Sequence, residues 1–200
     1  MNIIFRAATV DYGNLLGKFN FEDRSSVLYN DKLLQKQIDG LFDTDGTMHY
    51  SKENEQFVYV YYYRNQYIIT DKNLNLKYRG KTIDTTNVAK IKIEYINKKQ
   101  QYKLAAPPLI VNRKSSIHKN LLFINSMLSG RYDPEVMKDK ASVIDVYNIN
   151  NNSYVMSFYI HKIDNKAFDN FIVTEKYLYA LFGKTLVAYK FDSFLTKEFE

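Results

Sequence analysis

Several residue types that support common kinds of active site are missing or scarce in this sequence of 200 residues. It contains no cysteine, which excludes disulfides, thiolate metal ligands and cysteine nucleophiles. The three histidines are His49, His118 and His161, and no two of them have the spacing of a zinc-binding motif. We therefore predict neither a metal nor any other cofactor.

Long apolar runs are also absent. The first residues, MNIIFRAATVDYGNLLGKF, show neither the charged start nor the continuous apolar stretch of a signal peptide. No segment approaches the length of about 18 apolar residues at which a membrane-spanning helix is inferred. The sequence alone therefore predicts no transmembrane segment and leaves the compartment open.

Proline and glycine are scarce, whereas aromatic residues are abundant. With three prolines and seven glycines, turns must rely on Asn, Asp, Ser and Lys. The 18 tyrosines and 13 phenylalanines favour strands, because flat rings pack well on a pleated surface. A hydrophobic share of 46% and a charged share of 25% are typical of globular proteins. These features predict a single all-β domain over residues 1–200.

The net charge of +6 is compatible with binding to phosphates, nucleic acid or an anionic membrane surface. Most lysines are dispersed along the chain, which is typical of a solvated surface. The densest basic stretch also contains tyrosines: Lys90, Lys92, Tyr95, Lys98, Lys99, Tyr102 and Lys103. Lysines interleaved with stacking aromatics can hold single strands, but no RNP or KH signature accompanies them. We therefore predict a hairpin over residues 89–104 with lysines on its wet face, and no nucleic-acid partner.

Residues 57–83 establish the strand pattern. Aromatic residues alternate along residues 57–63, and the intervening positions are also apolar, which predicts a strand buried on both faces. Turn residues at 64–65 and 71–73 separate two further strands, and residues 47–51 form another strand upstream. The unit is therefore four antiparallel strands, and most tyrosines of this segment belong to sheet packing rather than to a binding surface.

The same unit recurs along the chain. The predicted strands of the later copies cover residues 113–118, 121–128, 141–147, 153–160, 171–174, 177–182, 185–191 and 194–199. Between them, residues 129–140 form an insertion with a helical turn at 135–137, and residues 31–38 are predicted to form a short helix. Four-stranded sheets that repeat at tens of residues predict the blades of a β-propeller.

The blades do not complete a ring. We predict a partial blade of two outer strands at residues 1–21 and fuller blades at residues 39–83, 109–161 and 168–199. Each blade needs a neighbour on both faces, so about three and a half blades indicate either part of a larger ring or a minimal, imperfect one. Uncovered sheet faces and unpaired strand edges predict self-association.

Two features carry a resemblance to a known family. Asp-initiated turns precede alternating strands at residues 11–16 and 71–76, and the closing passages are VIDVYNINNNSYVMSFYIHKI and FIVTEKYLYALFGKTLVAYKF. These resemble the closing blades of bacterial TolB-like and NHL-like six-bladed propellers. The resemblance implies six blades, of which this chain supplies the C-terminal ones, a location in the periplasm or cell envelope, and a role in interaction or as a scaffold. The matched positions are structural, so no catalytic residue follows from it.

The candidate binding residues are His49 and His118, which fall near the ends of equivalent inner strands. Because inner strands line the central channel of a propeller, both side chains are candidates for ligand binding, although half-exposed structural histidines are the commoner alternative. The string DTDG at residues 43–46 resembles part of a calcium loop. Leu41 and Lys52, however, occupy the positions where that loop needs acidic ligands, so we predict a tight turn.

No motif in the sequence selects a catalytic residue. Four carboxylates, Asp43, Asp45, Glu94 and Glu135, could pair across blades, but no spacing selects any of them. Ser115 and Ser116 lie close to His118 without a G-x-S-x-G elbow. We predict a non-catalytic β-propeller scaffold or binding protein of a bacterial cell envelope, with a protein, small-molecule or glycan ligand. The alternative is an envelope hydrolase or lyase whose site lies at the central channel.

Overall fold

Antiparallel sheets follow one another in sequence order through the part of the chain that the structure describes. The computed structural model describes residues 2–9, 13–21, 27–99, 101–128, 130 and 134–199. The first sheet consists of β1 (Asn2–Thr9), β2 (Gly13–Asn20) and β3 (Val27–Asn30). Residues 11–12, where the predicted Asp-initiated turn begins, and part of the predicted insertion, residues 129 and 131–133, lie outside the described residues.

The second sheet contains the tyrosine-rich segment. Its strand order is β4 (Gly46–Ser51), β5 (Gln56–Tyr61), β6 (Gln66–Asp71) and β7 (Leu76–Lys81). Alternate residues of β5 belong to core clusters on opposite sides of the sheet: Val58 and Val60 on one side, Tyr59 and Tyr61 on the other. The predicted strand with two buried faces is therefore confirmed.

A separate hairpin follows the second sheet. It consists of β8 (Ile93–Ile96) and β9 (Gln101–Leu104), as predicted for residues 89–104. Tyr95 and Tyr102 face each other across it with ring centroids 5.0 Å apart. Both rings are about half exposed, so the hairpin projects from the core and its aromatic pair is open to solvent.

The third sheet has the strand order β10 (Asn112–His118), β11 (Leu121–Ser126), β12 (Ala141–Asn148) and β13 (Ser153–His161). The short helix α1 (Glu135–Lys140) precedes β12 and confirms the helical turn predicted at residues 135–137. A β-bulge lies near the start of β10. Asn112 pairs with Ser126 and Lys114 pairs with Asn125, which leaves Arg113 as an extra residue between them.

The fourth sheet has three strands, β14 (Asn170–Val173), β15 (Tyr177–Phe182) and β16 (Thr185–Lys190). The predicted outer strand at residues 194–199 is wrong, because α2 (Ser193–Lys197) occupies most of this segment. Asp192 caps the helix by accepting a hydrogen bond from the Leu195 backbone N–H at 2.9 Å. Leu195 and Phe199, four residues apart, then pack together into the core. Neither α1 nor α2 has the length and hydropathy to cross a membrane, and the described residues contain no other α-helix.

The position of the first sheet corrects the prediction that residues 1–21 supply two outer strands. The sheet has a third strand, and β1 lies close to the start of β4, since Arg6 forms an ion pair with Asp45. Ile4 of β1 and Met48 of β4 pack against the same core cluster. β1 is therefore at the inner end of the first sheet, where a propeller blade begins.

Residues 31–38 do not form the predicted helix. Leu33 and Leu34 are buried against the second sheet as part of an irregular connection. Arg79 Nη1 donates to the Leu33 carbonyl at 2.8 Å, and Arg64 Nη1 donates to the Gln35 carbonyl at 2.9 Å. These arginines occupy carbonyl groups that a helix would have used for its own hydrogen bonds, so tertiary contacts override the local helical pattern.

Three core clusters join the sheets into one array. One joins the first and second sheets, one the second and third, and one the third and fourth. β10 contacts both β4 and β14, so the innermost strands of successive sheets lie side by side. The protein is therefore all-β, and its sheets have the arrangement of the blades of a β-propeller. The outward faces of the first and fourth sheets expose apolar residues, among them Tyr29 and Leu186.

Candidate functional site

A cavity of about 270 Å³ lies where the inner strands β4, β10 and β14 meet. Its position corresponds to the central channel on which the inner strands of a propeller converge. The lining residues come from these strands and from the turn after β5: Thr47, His49, Tyr62, Lys114, Ser115, Ser116, Asn170, Phe171 and Ile172. The lining is mostly polar, and it includes no carboxylate among the residues that the structure describes.

His49 and Ser115 connect two of the walls. Nε2 of His49 lies 2.7 Å from Oγ of Ser115, which joins β4 to β10 through side chains. Burial lowers the pKa of His49 to about 4, because a low-dielectric environment disfavours the charged imidazolium. The imidazole is therefore neutral near pH 7, and it offers hydrogen bonding to a ligand but no positive charge.

Further hydroxyl groups of the lining form hydrogen bonds within the fold. Ser116 Oγ accepts a hydrogen bond from the Val173 backbone N–H at 3.1 Å, which fastens β14 to β10. Thr47 Oγ1 donates to Tyr62 Oη at 3.0 Å, and this contact orients the phenol ring at the cavity wall. These contacts orient wall side chains in the folded state, and preorganisation reduces the entropy lost on binding.

Lys114 and Asn170 are two polar lining residues whose side chains are available to a ligand. Neither side chain has a hydrogen-bond or ion-pair partner among the described residues, and both line the cavity. Among the described lining residues, Lys114 is the one charged side chain, since His49 is neutral. An ammonium group and a carboxamide are thus available to donate hydrogen bonds to a ligand, and the carboxamide can also accept one.

The predicted ligand-binding residues His49 and His118 do not share a site. His49 lines the central cavity. His118, at the end of β10, packs edge-on against Phe199, with ring centroids 5.3 Å apart, and its Nε2 is buried without a partner among the described residues. His161 ends β13 and lies outside the cavity. The structure therefore brings one of the two predicted histidines into the channel, and its binding role stays a prediction.

Asp43, from the string that resembles part of a calcium loop, is buried and hydrogen-bonded within the fold. Its carboxylate is fully buried and accepts hydrogen bonds from the backbone N–H groups of residues 37–40. Burial alone would raise its pKa, but hydrogen bonds from Asp39 and these N–H groups lower it. No cluster of three or more potential metal ligands occurs in the described part of the chain. Asp43 thus organises the turn that leads into β4.

Sequence reasoning missed Thr47, Tyr62, Lys114 and Asn170 as lining residues. Three of them occupy inner strands, so their position in the repeat was a usable signal, but alternation along a strand does not say which face meets the channel. The bulge at Arg113 shifts the alternation along β10. Ser115 was noted for its proximity to His118 in sequence, whereas the fold places it against His49, 66 residues away.

Comparison with known proteins identifies no family. No family model matches the chain, and no curated protein matches it. A solved structure of U3-55K is similar over 94% of this chain and 48% of that chain, with 9% identity and a TM-score of 0.45. A member of the DUF4221 family from Bacteroides vulgatus is similar over 90% of this chain and 54% of that chain, with 10% identity and a TM-score of 0.44.

The chain thus spans about half the length of both solved structures. Similarity at this level does not bear on function. The fold assignment above rests on the strand order within each sheet and on the packing of successive sheets through their inner strands. What the site can do has to follow from its own groups: one cation, one free carboxamide, a neutral imidazole and several hydroxyls.

Proposed function

We propose that this chain is a non-catalytic binding protein of a bacterial cell envelope that holds a small polar ligand in the central cavity. The observation that carries the proposal is the pair Lys114 and Asn170, two polar side chains on different inner strands that line one cavity and have no partner among the described residues. Binding sites typically combine a shaped pocket with a few polar groups that fix the ligand's orientation.

The ligand class follows from the lining. A cavity of about 270 Å³ is slightly below the usual range of small-molecule sites, roughly 300–1,000 Å³, so it suits one sugar ring or one end of a peptide. Sugar hydroxyls or peptide carbonyls would accept hydrogen bonds from Lys114 and Asn170, and the Tyr62 ring offers an apolar wall. A carboxylate on either ligand would also find its counter-charge at Lys114.

The envelope location and the six-bladed ring rest on the sequence resemblance to TolB-like and NHL-like propellers. In this proposal, the chain supplies the C-terminal blades of such a ring. Support comes from the apolar residues that the first and fourth sheets expose outward, including Tyr29 at 53% and Leu186 at 65% exposure. In a complete ring, neighbouring blades cover faces of this kind.

The hydrolase alternative is favoured by one contact, the 2.7 Å distance between His49 Nε2 and Ser115 Oγ. A serine hydroxyl hydrogen-bonded to a neutral imidazole is the arrangement of a nucleophile and its base. However, a pKa of about 4 makes His49 a weak base at neutral pH. No carboxylate among the described lining residues orients the ring. These two features favour binding over catalysis.

The test is a screen of the full chain against immobilised glycans and peptides, followed by calorimetry on the hits. The variants Lys114→Gln and Asn170→Ala should each weaken binding by at least about tenfold if they form hydrogen bonds of ordinary strength with the ligand. Lys176→Gln removes the same charge at an exposed turn residue that does not line the cavity, and it should bind normally.

Two outcomes would count against the proposal. Affinity that is unchanged in both cavity variants would remove the ligand from the central cavity. Release of cleaved product from a hit, lost in Ser115→Ala, would establish the hydrolase instead. Melting temperatures of all variants, compared with that of the parent chain, separate loss of binding from loss of folding.

A further inference from the structure

A second cavity, of about 370 Å³, lies at one rim of the third sheet and is separate from the central cavity. β10 and β12 begin at this rim, β11 and β13 end there, and α1 borders it. Three basic side chains from three different segments line it: Arg113, Lys138 and Lys162. We propose that this cavity binds a small organic anion, a phosphate or a carboxylate attached to an apolar group.

The charges that line the cavity favour an anionic ligand. No carboxylate lines it among the described residues. Lys138 pairs with Glu135, one turn away on α1, at an N–O distance of 3.9 Å. The Glu135 side chain is largely exposed. Such an exposed pair contributes little. Three cationic side chains that line one concave surface create a positive potential, which attracts anions.

The β-bulge in β10 positions Arg113 at the cavity. Arg113 is the extra residue of the bulge, and a bulge redirects a side chain out of the regular alternation of its strand. The bulge is fixed from behind, since Asn112 Nδ2 donates to the carbonyls of Tyr61 at 2.9 Å and Arg64 at 3.0 Å. The neighbouring residues Arg113 and Lys114 line two different cavities, one on each side of β10. Bulges of this kind are found next to binding and active sites more often than elsewhere in sheets.

The remaining lining groups define the rest of the ligand. Ser126 and Ser142 place hydroxyl groups at the cavity wall, and Met127, Leu128 and Met137 supply an apolar wall. A guanidinium group binds phosphate or carboxylate through two parallel hydrogen bonds, and lysines add charge without fixed geometry. Flexible methionine side chains adapt to varied apolar shapes. An anion with one apolar ring or short chain therefore matches both halves of the cavity.

The site is anchored to the fold on its basic side. The Lys162 backbone N–H donates to the Lys140 carbonyl at 2.8 Å, which ties the end of α1 to the segment after β13. Asn125, almost fully buried, donates from Nδ2 to the Val143 carbonyl at 3.0 Å and holds β11 to β12 beneath the cavity. The cations thus project from fixed backbone positions.

The experiment uses three probes with the same ring: phenyl phosphate, benzoate and phenol. Calorimetry on the full chain should show saturable binding of phenyl phosphate or benzoate and none of phenol at the same concentrations, and the stronger of the two anions identifies the acidic group. In the double variant Arg113→Gln, Lys162→Gln, the dissociation constant should rise by at least about tenfold. Lys184→Gln, which removes one charge on an exposed turn, should leave it unchanged.

Amide chemical shifts of the parent chain give a readout that does not depend on the folding of any variant. Addition of the stronger anion should move the signals of Ser126, Ser142 and Lys162, and it should leave those of His49 and Asn170 in place. The proposal is overturned if phenol binds as well as the anions, if the double variant binds with parent affinity while folded, if Lys184→Gln loses binding equally, or if the shifts spread over the whole surface.

Discussion

The sharpest test of the architecture is the substitution Tyr59→Ala. Tyr59 lies on β5 with 2% of its surface exposed, and its ring packs edge-on against Tyr61 with centroids 5.3 Å apart. Its Oη donates to the Thr44 carbonyl at 2.7 Å and accepts from Arg6 Nη1 at 3.3 Å. The side chain therefore links the first sheet, the connection before β4 and the core of the second sheet.

The expected loss can be estimated from these contacts. Truncation of a buried aromatic residue to alanine costs about 3–5 kcal/mol, and for a chain of this length about 2–4 °C of melting temperature is lost per kcal/mol. Tyr59→Ala should therefore melt about 6–20 °C below the parent chain. Tyr59→Phe keeps the ring but leaves the buried Thr44 carbonyl without its donor, at a cost of about 1–3 kcal/mol.

Differential scanning calorimetry on both variants measures these shifts. The matched control is Tyr102→Ala, because Tyr102 is 54% exposed and contacts Tyr95 on the separate hairpin. We expect the control to change stability by no more than about 1 kcal/mol. If Tyr59→Ala melted like the parent chain but abolished binding of a ligand, the tyrosines of β5 would form a binding surface and the packing account would be refuted.

Three other changes have defined outcomes. Gly80→Ala should destabilise the second sheet, since a Cβ there would lie 2.1 Å from the buried Tyr67 ring; urea unfolding should show a loss of about 1–3 kcal/mol. The pKa of His49 is lower in the folded chain, about 4 against 6.5, so its contribution to the unfolding free energy should be complete above pH 6.5 and fall as the pH drops towards 4. A His49→Gln variant should lack this part of the pH profile. Asp192→Ala removes the N-cap of α2 and should cost about 1 kcal/mol, with faster hydrogen exchange at the Leu195 amide.

Local periodicity was enough to predict most of the sheets. Strands with short turns between them, as in the second and third sheets, are defined by alternation and by turn residues within a few positions. The boundaries of β5 and β11 follow from buried apolar runs that end at polar residues. Hydrophobic burial on both faces of β5 was also predictable, because apolar residues occupy both sets of alternating positions.

Where the prediction failed, a distant contact decided the local structure. Residues 194–199 contain apolar positions that suit either a strand or a helix, and the Asp192 cap together with the burial of Leu195 and Phe199 selects the helix. Residues 31–38 look helical, but Arg64 and Arg79 bind their carbonyl groups. The Asp192 cap is a local signal that the sequence contains, whereas the core that buries Leu195 and Phe199 and the two arginines lie outside any short sequence window.

The candidate site was predictable only in outline. Histidines near the ends of inner strands indicated the central channel, and His49 lies there. Its contact with Ser115 depends on how the second and third sheets pack, and the exclusion of His118 depends on Phe199 at the far end of the chain. The cationic cavity was not predicted at all, because Arg113, Lys138 and Lys162 belong to three segments that only the sheet rim brings together.

The serial packing of the sheets has a consequence for how the chain unfolds. The second and third sheets each share core clusters with neighbours on both sides, whereas the first and fourth are each held by one cluster. Energetic coupling in such arrays passes mainly between adjacent units. Opening should therefore start at the two outer sheets, and amide protons of β5, β6, β11 and β12 should exchange last. The central cavity borders β14, so the outer sheet that opens readily also forms one of its walls. Transient detachment of that sheet would give a ligand a route into the cavity without any hinged loop.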